Sequence, residues 1–434
     1  MRISERIWPA DEKSTGWILL CYYLGSVILF ELDEYKIQLD KNEKNSVGNI
    51  IMNENLLLKY NSNMKGRRWD FKNGCCIFRS NESQFDGRTI RSIINFVNSL
   101  HEAYPQINMP ISFEFGQVSF QDKLTYIIFE VICFVLIKEY HHNVYVKFKS
   151  KPSIFTEGID SSPLLLLTTG EKEHREKFVK KYAFDIYKNH YRRILLKHEV
   201  EDEKLSIIME EISIFLKMFY VSDEFIDEIS EVAIELIGNV SEHTGSSCLV
   251  DIDVTPMDYI KRTDENNRFY GINLSVVNFS EHLFNEDIKE RILSNRDKMS
   301  GRYKDVWNAY KFHQGYFNSE YTEDDFFNIA AFQHKISGSI RKEVTGGTGL
   351  TKLIYSLEKR SDAHNCYMSS GKRLLWFQRE FLEYNDDNWI GFNLNKDFLT
   401  HIPERKVVDL GTVYMPGTAY NLNFAMKGRE KENE

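Results

Sequence analysis

Hydrophobic and polar positions change period several times along the chain. In "RTIRSIINFVNSLHEAY" the apolar residues Ile90, Ile93, Ile94, Val97 and Leu100 recur at helical spacing, which predicts a helix closed off by Pro105 and Pro110. "ISFEFGQVSF" switches to strict alternation, with Ile111, Phe113 and Phe115 in phase, as a strand requires. "DKLTYIIFEVICFVLIKEY" is apolar nearly all round and predicts a buried helix with Asp122 as its N-cap. "NVYVKF" alternates again through Val144, Val146 and Phe148. Helix, strand, helix, strand in that order predicts a small α/β layer over 85–150. The first 80 residues read as short β-rich segments, with Asn73-Gly74 marking a turn between two strands. Within them "WILLCYYLGSVILFEL" fits a strand pair or a buried helix, which periodicity alone does not separate.

Residues 151–203 read as a linker followed by a basic helical stretch. A second α/β unit is predicted over 204–426. It has helices at 204–219 and 223–243, strands at 248–254 and 270–277, and a helical insertion at 284–342. A helix starts near Gly349, and strands follow near 364–369, 372–379 and 418–425. The 223–243 helix has an apolar stripe of Phe225, Ile229, Val232, Ala233, Leu236 and Val240; Ser222 or Asp223 caps its start and Thr244-Gly245 stops it. In the next segment Cys248, Val250, Ile252 and Val254 share one strand face. Residues 427–434 read as a frayed tail.

Composition narrows the function classes. The 434 residues suggest two or three domains, and a net charge of -9 gives no general attraction for nucleic acid or anionic lipid. The basic stretch from Lys172 to Lys197 reads as a solvated face. Six cysteines show no zinc spacing and fit free thiols in a reducing compartment, so a cytoplasmic location is expected. The apolar run Trp17–Phe30 is too short to span a bilayer. The histidines lack metal-site spacing and read as scattered and solvated.

Chemistry concentrates in the second half. Glu235, Asn239 and His243 are spaced i, i+4, i+8, so on a helix they line one side. A neutral amide oxygen can hold Mg²⁺ together with phosphate oxygens, and a carboxylate one turn earlier can polarise an attacking water. The same spacing also fits the polar edge of an ordinary helix. "EVTGGTGLTKLIYSLEKR" runs Gly346, Gly347, Thr348 and Gly349 into a helix that begins with Leu350. Glycines permit close backbone approach, and free N–H groups at a helix start attract phosphate. No Lys-Ser/Thr follows the last glycine, so this is not a P-loop, and a plain glycine-rich turn fits equally. "MPGTAYNLNFAM" is a turn followed by a strand.

Together these segments resemble the GHKL family, which includes gyrase, the 90-kDa heat-shock chaperones, histidine kinases, mismatch-repair ATPases and anti-sigma serine kinases. The resemblance covers 204–426. Glu235 and Asn239 match its E-x-x-x-N box, "GGTGL" at 346–350 its glycine motif, and "PGT" its habit of entering the last strand. It implies an α/β sandwich with a mixed sheet and an ATP site in which Asn239 bridges Mg²⁺ and Glu235 is the general base. His243, Asn278, Gly346, Gly347, Thr348, Gly349 and Leu350 would complete that nucleotide site. Where the family has D-x-G-x-G, this chain has "NFSEH": Asn278 stands in the acid's place, and Ser280 and His282 in those of the glycines. An amide oxygen also accepts from an adenine amino group, more weakly than a carboxylate does.

Within 1–150 the segment 85–150 resembles the sulfate-transporter and anti-sigma-antagonist (STAS) fold, with "SFQDKLT" as the strand-to-helix loop. The fold class expected is thus α/β, a STAS-like domain followed by a GHKL-type sandwich. The function this implies is Mg-ATP-gated binding of a protein partner in bacterial signalling, stress response or phage defence. No nucleic acid or membrane is expected as partner, and an oligomer is left open. Two alternatives are a degenerate scaffold that binds no ATP and an anti-sigma-type protein serine kinase.

Overall fold

The computed structural model describes residues 53–427 apart from 64–65, 67–68, 106, 121, 150–152, 155–161, 170, 197–201, 220, 245, 256–258, 262–263, 296–298, 339–348 and 362–365. The expectations for residues 1–52 and for the tail beyond 427 lie outside the described residues. The chain is a mixed α/β protein containing a mixed sheet.

A 3-10 turn (Asn53–Asn55) leads into helix α1 (Leu56–Tyr60), where a β-rich segment was expected. Leu56, Leu57 and Leu58 are all buried, which a short helical turn achieves and strand alternation does not. Asn61 then anchors this turn: its amide donates to the Tyr414 carbonyl at 2.9 Å and its Oδ1 accepts from Tyr414 N at 2.9 Å.

Strands β1 (Asp70–Lys72) and β2 (Cys75–Ser80) form the expected hairpin. Asn73 and Gly74 both adopt positive φ, 53° and 73°, as a tight two-residue turn needs. After β3 (Gln84–Phe85) comes helix α2 (Gly87–Ala103), capped by Asp86, which accepts from Arg88 N and Thr89 N. Strands β4 (Ile111–Phe115) and β5 (Ser119–Phe120) precede helix α3 (Lys123–Lys138). The predicted Asp122 cap is present, accepting from Thr125 N at 2.7 Å. Strands β6 (Val144–Phe148) and β7 (Ser153–Ile154) follow. The order β1-β2-β4-β6 makes a four-stranded mixed sheet, antiparallel at β1/β2 and parallel elsewhere, beside the short parallel trio β3-β5-β7.

Helix α4 (Lys172–Ala183) leads into strands β8 (Phe184–Tyr187) and β9 (His190–Leu195). The stretch read as linker and basic helix therefore also supplies two strands. Helices α5 (Asp202–Lys217) and α6 (Asp223–His243) come next, then β10 (Cys248–Val254), β11 (Tyr259–Lys261) and β12 (Asp264–Asn278). The helical insertion contains α7 (Glu286–Ser294), α8 (Gly301–His313) and α9 (Glu323–Ala330). The chain closes with α10 (Gly349–Arg360), β13 (Tyr367–Trp376) and β14 (Val408–Lys427).

These strands build a seven-stranded sheet in the order β13-β14-β12-β10-β9-β8, with β11 on β12, and every pairing is antiparallel. The mixed sheet expected for the second half is thus found in the first. The two strands expected at 364–379 are one strand: Gly371, with φ 58°, carries a register shift without ending the pairing.

Period-two alternation divides the large sheet into two faces. Val250, Ile252, Ile272, Leu274, Leu422 and Phe424 join a core with α5 and α6. The opposite face is polar yet buried, and α3 covers part of it. Lys123 Nζ lies 3.1 Å from Asp251 Oδ1 and also contacts Asp253 Oδ2; Arg192 bonds Asp251 and pairs with Glu130 at 2.5 Å; the backbone N–H of Leu124 donates to Asn421 Oδ1 at 3.2 Å. Burial alone raises the Asp251 carboxyl, but the Arg192 and Lys123 charges outweigh it and hold the group well below the usual carboxylate range.

The basic stretch is not one solvated face. On α4, Lys177 pairs with Glu173 at the surface, whereas Arg192 is completely buried and Arg193 pairs with Glu211. Histidines read as solvated are also internal: His313 is held by Tyr321 Oη at 2.7 Å and the Phe398 carbonyl at 2.8 Å, and His142 meets His101 at 3.0 Å. The described cysteines are free thiols, and all but Cys75 are buried. No helix among the described residues is long and apolar enough to cross a membrane.

Candidate functional site

Helix α6 contributes the first wall of a cleft that α10, the end of β12 and β14 also line. Its apolar stripe points into the core, so the flanking positions Glu235 and Asn239, one turn apart, are left half-buried at the cleft. The Nδ2 atom of Asn239 is buried and has no hydrogen-bond partner among the described residues. The helix ends at Thr244, as expected, with Thr244 N donating to the Val240 carbonyl. His243 is its last residue, and the His243 side chain lies outside the described residues.

Helix α10 meets α6 at this wall. Gly349 packs so closely on the Glu235 carboxyl that a Cβ at 349 would overlap it, and Leu350 lines the same cleft. Farther along, Lys352 pairs with Glu231 at 2.8 Å, Ser356 Oγ donates to Glu228 at 2.6 Å, and Arg360 Nε donates to Glu228 at 2.6 Å. The two helices are therefore joined by polar contacts at successive turns. Gly346, Gly347 and Thr348 lie outside the described residues.

The floor comes from the end of β12 and the middle of β14. Asn278 ends β12 and pairs in register with Cys248 on one side and Thr418 on the other. Its Nδ2 donates to Ser246 Oγ and to the Ser247 carbonyl at 3.0 Å, and its Oδ1 is buried without a partner among the described residues. The "PGT" stretch, expected as a turn, lies inside β14 at the register shift against β13, and Gly417, with φ 84°, brings it against Asn278; a Cβ there would come within 2.9 Å of Oδ1 and 2.8 Å of Ser280 N. Only glycine permits that approach.

The turn "NFSEH" closes without glycines because Ser280 Oγ accepts from His282 N at 2.9 Å. His282 lines the cleft with Nδ1 2.8 Å from Glu286 and Nε2 2.8 Å from Asp287. The Asp287 carboxylate, and then that of Glu286, raise its pKa against the effect of burial. His282 is the only basic side chain among the described lining residues.

Glu235, Asn239, Asn278, Gly349 and Leu350, separated by up to about a quarter of the sequence, therefore share one cleft. Sequence reasoning missed Ser246 and Ser247 as anchors of Asn278, and His282 as the cleft's base. The available signals were the serine pair just past the helix stop and the histidine ahead of the acidic start of α7.

Among the described residues one other grouping has metal-ligand chemistry: His190, Asp251 and Asp253, with ligand atoms within 4.8 Å of one another. The Lys123 ammonium already bridges the two carboxylates, and Arg192 holds Asp251. These two fixed cations supply the positive charge a metal would bring.

No family model, curated protein or solved structure matches this chain.

Proposed function

We propose that the chain is a Mg-ATP-binding regulatory protein of GHKL type, fused to a STAS-like N-terminal layer, in which nucleotide occupancy gates association with a protein partner. The observation that carries this reading is convergence. The E-x-x-x-N helix, the end of β12, the helix after the glycine run and Thr418 of the "PGT" stretch come from distant parts of the chain and line one cleft.

The donor set fits the cofactor. Among the described residues, the buried amide nitrogen of Asn239 and the buried amide oxygen of Asn278 have no hydrogen-bond partner. A nucleotide would satisfy both, which matters because a buried orphan polar atom costs roughly 1–3 kcal/mol. Asn239 would hold Mg²⁺ through its amide oxygen, and the ion would neutralise phosphate charge. That need is acute here, since neither Lys nor Arg is among the described residues lining the cleft. Glu235 is the general base of this reading: one turn before Asn239, it can take a proton from a water held between them.

Calorimetric titration with a non-hydrolysable ATP analogue tests the proposal. Saturable binding that requires Mg²⁺ and is lost in Asn239→Ala supports it. No binding with or without Mg²⁺ refutes it and leaves the scaffold alternative, which the glycine-free turn at Ser280 and His282 favours.

A further inference from the structure

The hydrogen-bond pattern behind Asn278 has a direction. Thr244 has one hydroxyl proton, and its Oγ1 lies 2.8 Å from the Val240 carbonyl, which can only accept. The Ser246 hydroxyl, 2.8 Å from Thr244 Oγ1, must then donate to it. Ser246 Oγ is left as an acceptor for one Asn278 N–H, and the Ser247 carbonyl takes the other at 3.0 Å. Both anchors can only accept at these positions, so the amide nitrogen is fixed against them. The oxygen is held on the other side, beside Gly417, without a partner among the described residues.

Resting on the nucleotide reading above, we infer that Thr244 and Ser246 are positioning residues that lock Asn278 as a pure acceptor, so that the cleft selects a 6-amino purine over a 6-oxo purine. A free amide could rotate by half a turn and offer its N–H groups to a 6-oxo base. Here rotation would set Oδ1 against the Ser247 carbonyl and Nδ2 away from both acceptors. A 6-oxo purine therefore meets an acceptor with an acceptor. The same geometry accounts for an amide at 278 where a carboxylate would be the stronger acceptor: the second carboxylate oxygen would face the Ser247 carbonyl.

The experiment compares Mg-ATP with Mg-inosine triphosphate by competition against a fluorescent ATP analogue. The two ligands differ at the 6-position, where an amino group is exchanged for an oxo group, and at the adjacent N1, which carries a proton in the 6-oxo base. Wild type is expected to bind ATP roughly 10- to 100-fold more tightly, the range for leaving a buried polar group unpaired. Asn278→Ala should bring the ratio close to one. Ser246→Ala removes one of two anchors and should lower the ratio several-fold, while Ser246→Thr keeps the hydroxyl and the ratio. A purely structural role for Ser246 would lower both affinities together and leave the ratio unchanged. Should Asn278→Ala fail to fold, the two Ser246 variants carry the test.

Equal binding of the two nucleotides by wild type overturns the inference while the nucleotide reading stands. So does a wild-type ratio that survives in Ser246→Ala. Absence of binding by either nucleotide overturns both.

Discussion

Gly349→Ala offers a sharp test of the wall between α6 and α10. An added Cβ would overlap the Glu235 carboxyl, and its nearest neighbours are all Glu235 side-chain atoms. Two effects oppose each other. Replacing glycine by alanine restricts the unfolded chain and stabilises by about 0.4–1 kcal/mol where the backbone tolerates it. Overpacking against a half-buried carboxyl costs about 1–3 kcal/mol, because Glu235 must leave its rotamer or α10 must move. The overlap lies well inside van der Waals contact, so the second effect should win, with a net loss of roughly 1–2 kcal/mol. The decisive assay is a double-mutant cycle in urea. In Glu235→Ala the obstructing carboxyl is gone, so Gly349→Ala should there be neutral or slightly stabilising. A coupling of about 1–3 kcal/mol is expected for groups in direct contact. Equal costs in both backgrounds would refute the packing argument and, with it, the juxtaposition of Glu235 and the start of α10.

Other outcomes follow from the same geometry. Asn239→Ala should abolish Mg-dependent nucleotide binding yet leave the melting temperature nearly unchanged, since its amide nitrogen bonds nothing among the described residues; a large drop in melting temperature would make the residue structural. Lys123→Met strips the bridging cation from Asp251 and Asp253 and should cost about 3–5 kcal/mol in denaturant unfolding; a loss below about 1 kcal/mol would refute the buried network. Burial, aided by the neighbouring His142, pushes His101 down to about 4. The unfolded chain therefore takes up the proton first, so stability falls as pH drops from about 6.5 towards 4 and levels off below. His101→Phe should flatten that part of a thermal-melt pH series, and an unchanged slope would count against it.

Much of the fold was legible because long periodic segments announce themselves. The stripe from Phe225 to Val240 and the alternation of Cys248, Val250, Ile252 and Val254 fall on α6 and β10 with the predicted boundaries. The other side of the large sheet was not legible. Asp251, Asp253, Asn273, Ser275 and Asn421 alternate as solvent-facing residues would, yet they are buried. Only tertiary packing decides that, and the available hint was a helix apolar nearly all round that nevertheless carries Lys123 and Glu130. In the cleft, Glu235 and Asn239 were visible from spacing and Asn278 from its motif position. The roles of Ser246 and Ser247 depend on side-chain directions at a helix end, which no periodicity encodes. The single strand at Tyr367–Trp376 was read as two because the glycine that shifts its register looks in sequence like one that ends a strand.

The distribution of charge across the two seams of the large sheet bears on how a ligand could change the surface a partner sees. Where α3 covers the sheet, the ion pairs of Lys123, Asp251, Asp253, Arg192 and Glu130 are almost wholly excluded from water. Opening that seam would break a buried network, at a cost of several kcal/mol for each pair parted. The seam between α6 and α10 is built differently. Lys352–Glu231 and Lys359–Glu224 are largely exposed, and such pairs contribute at most about 1 kcal/mol each. Only the pair Arg360–Glu228 at the far end is mostly shielded. Helix α10 is therefore held firmly at its C-terminal end and weakly near Gly349, where it touches Glu235. A nucleotide that engages Asn239 would act beside the weak end, with Arg360 and Glu228 as the pivot. Under the proposed gating, α10 would be the element that responds, and the buried network would keep the two halves of the chain together across α3.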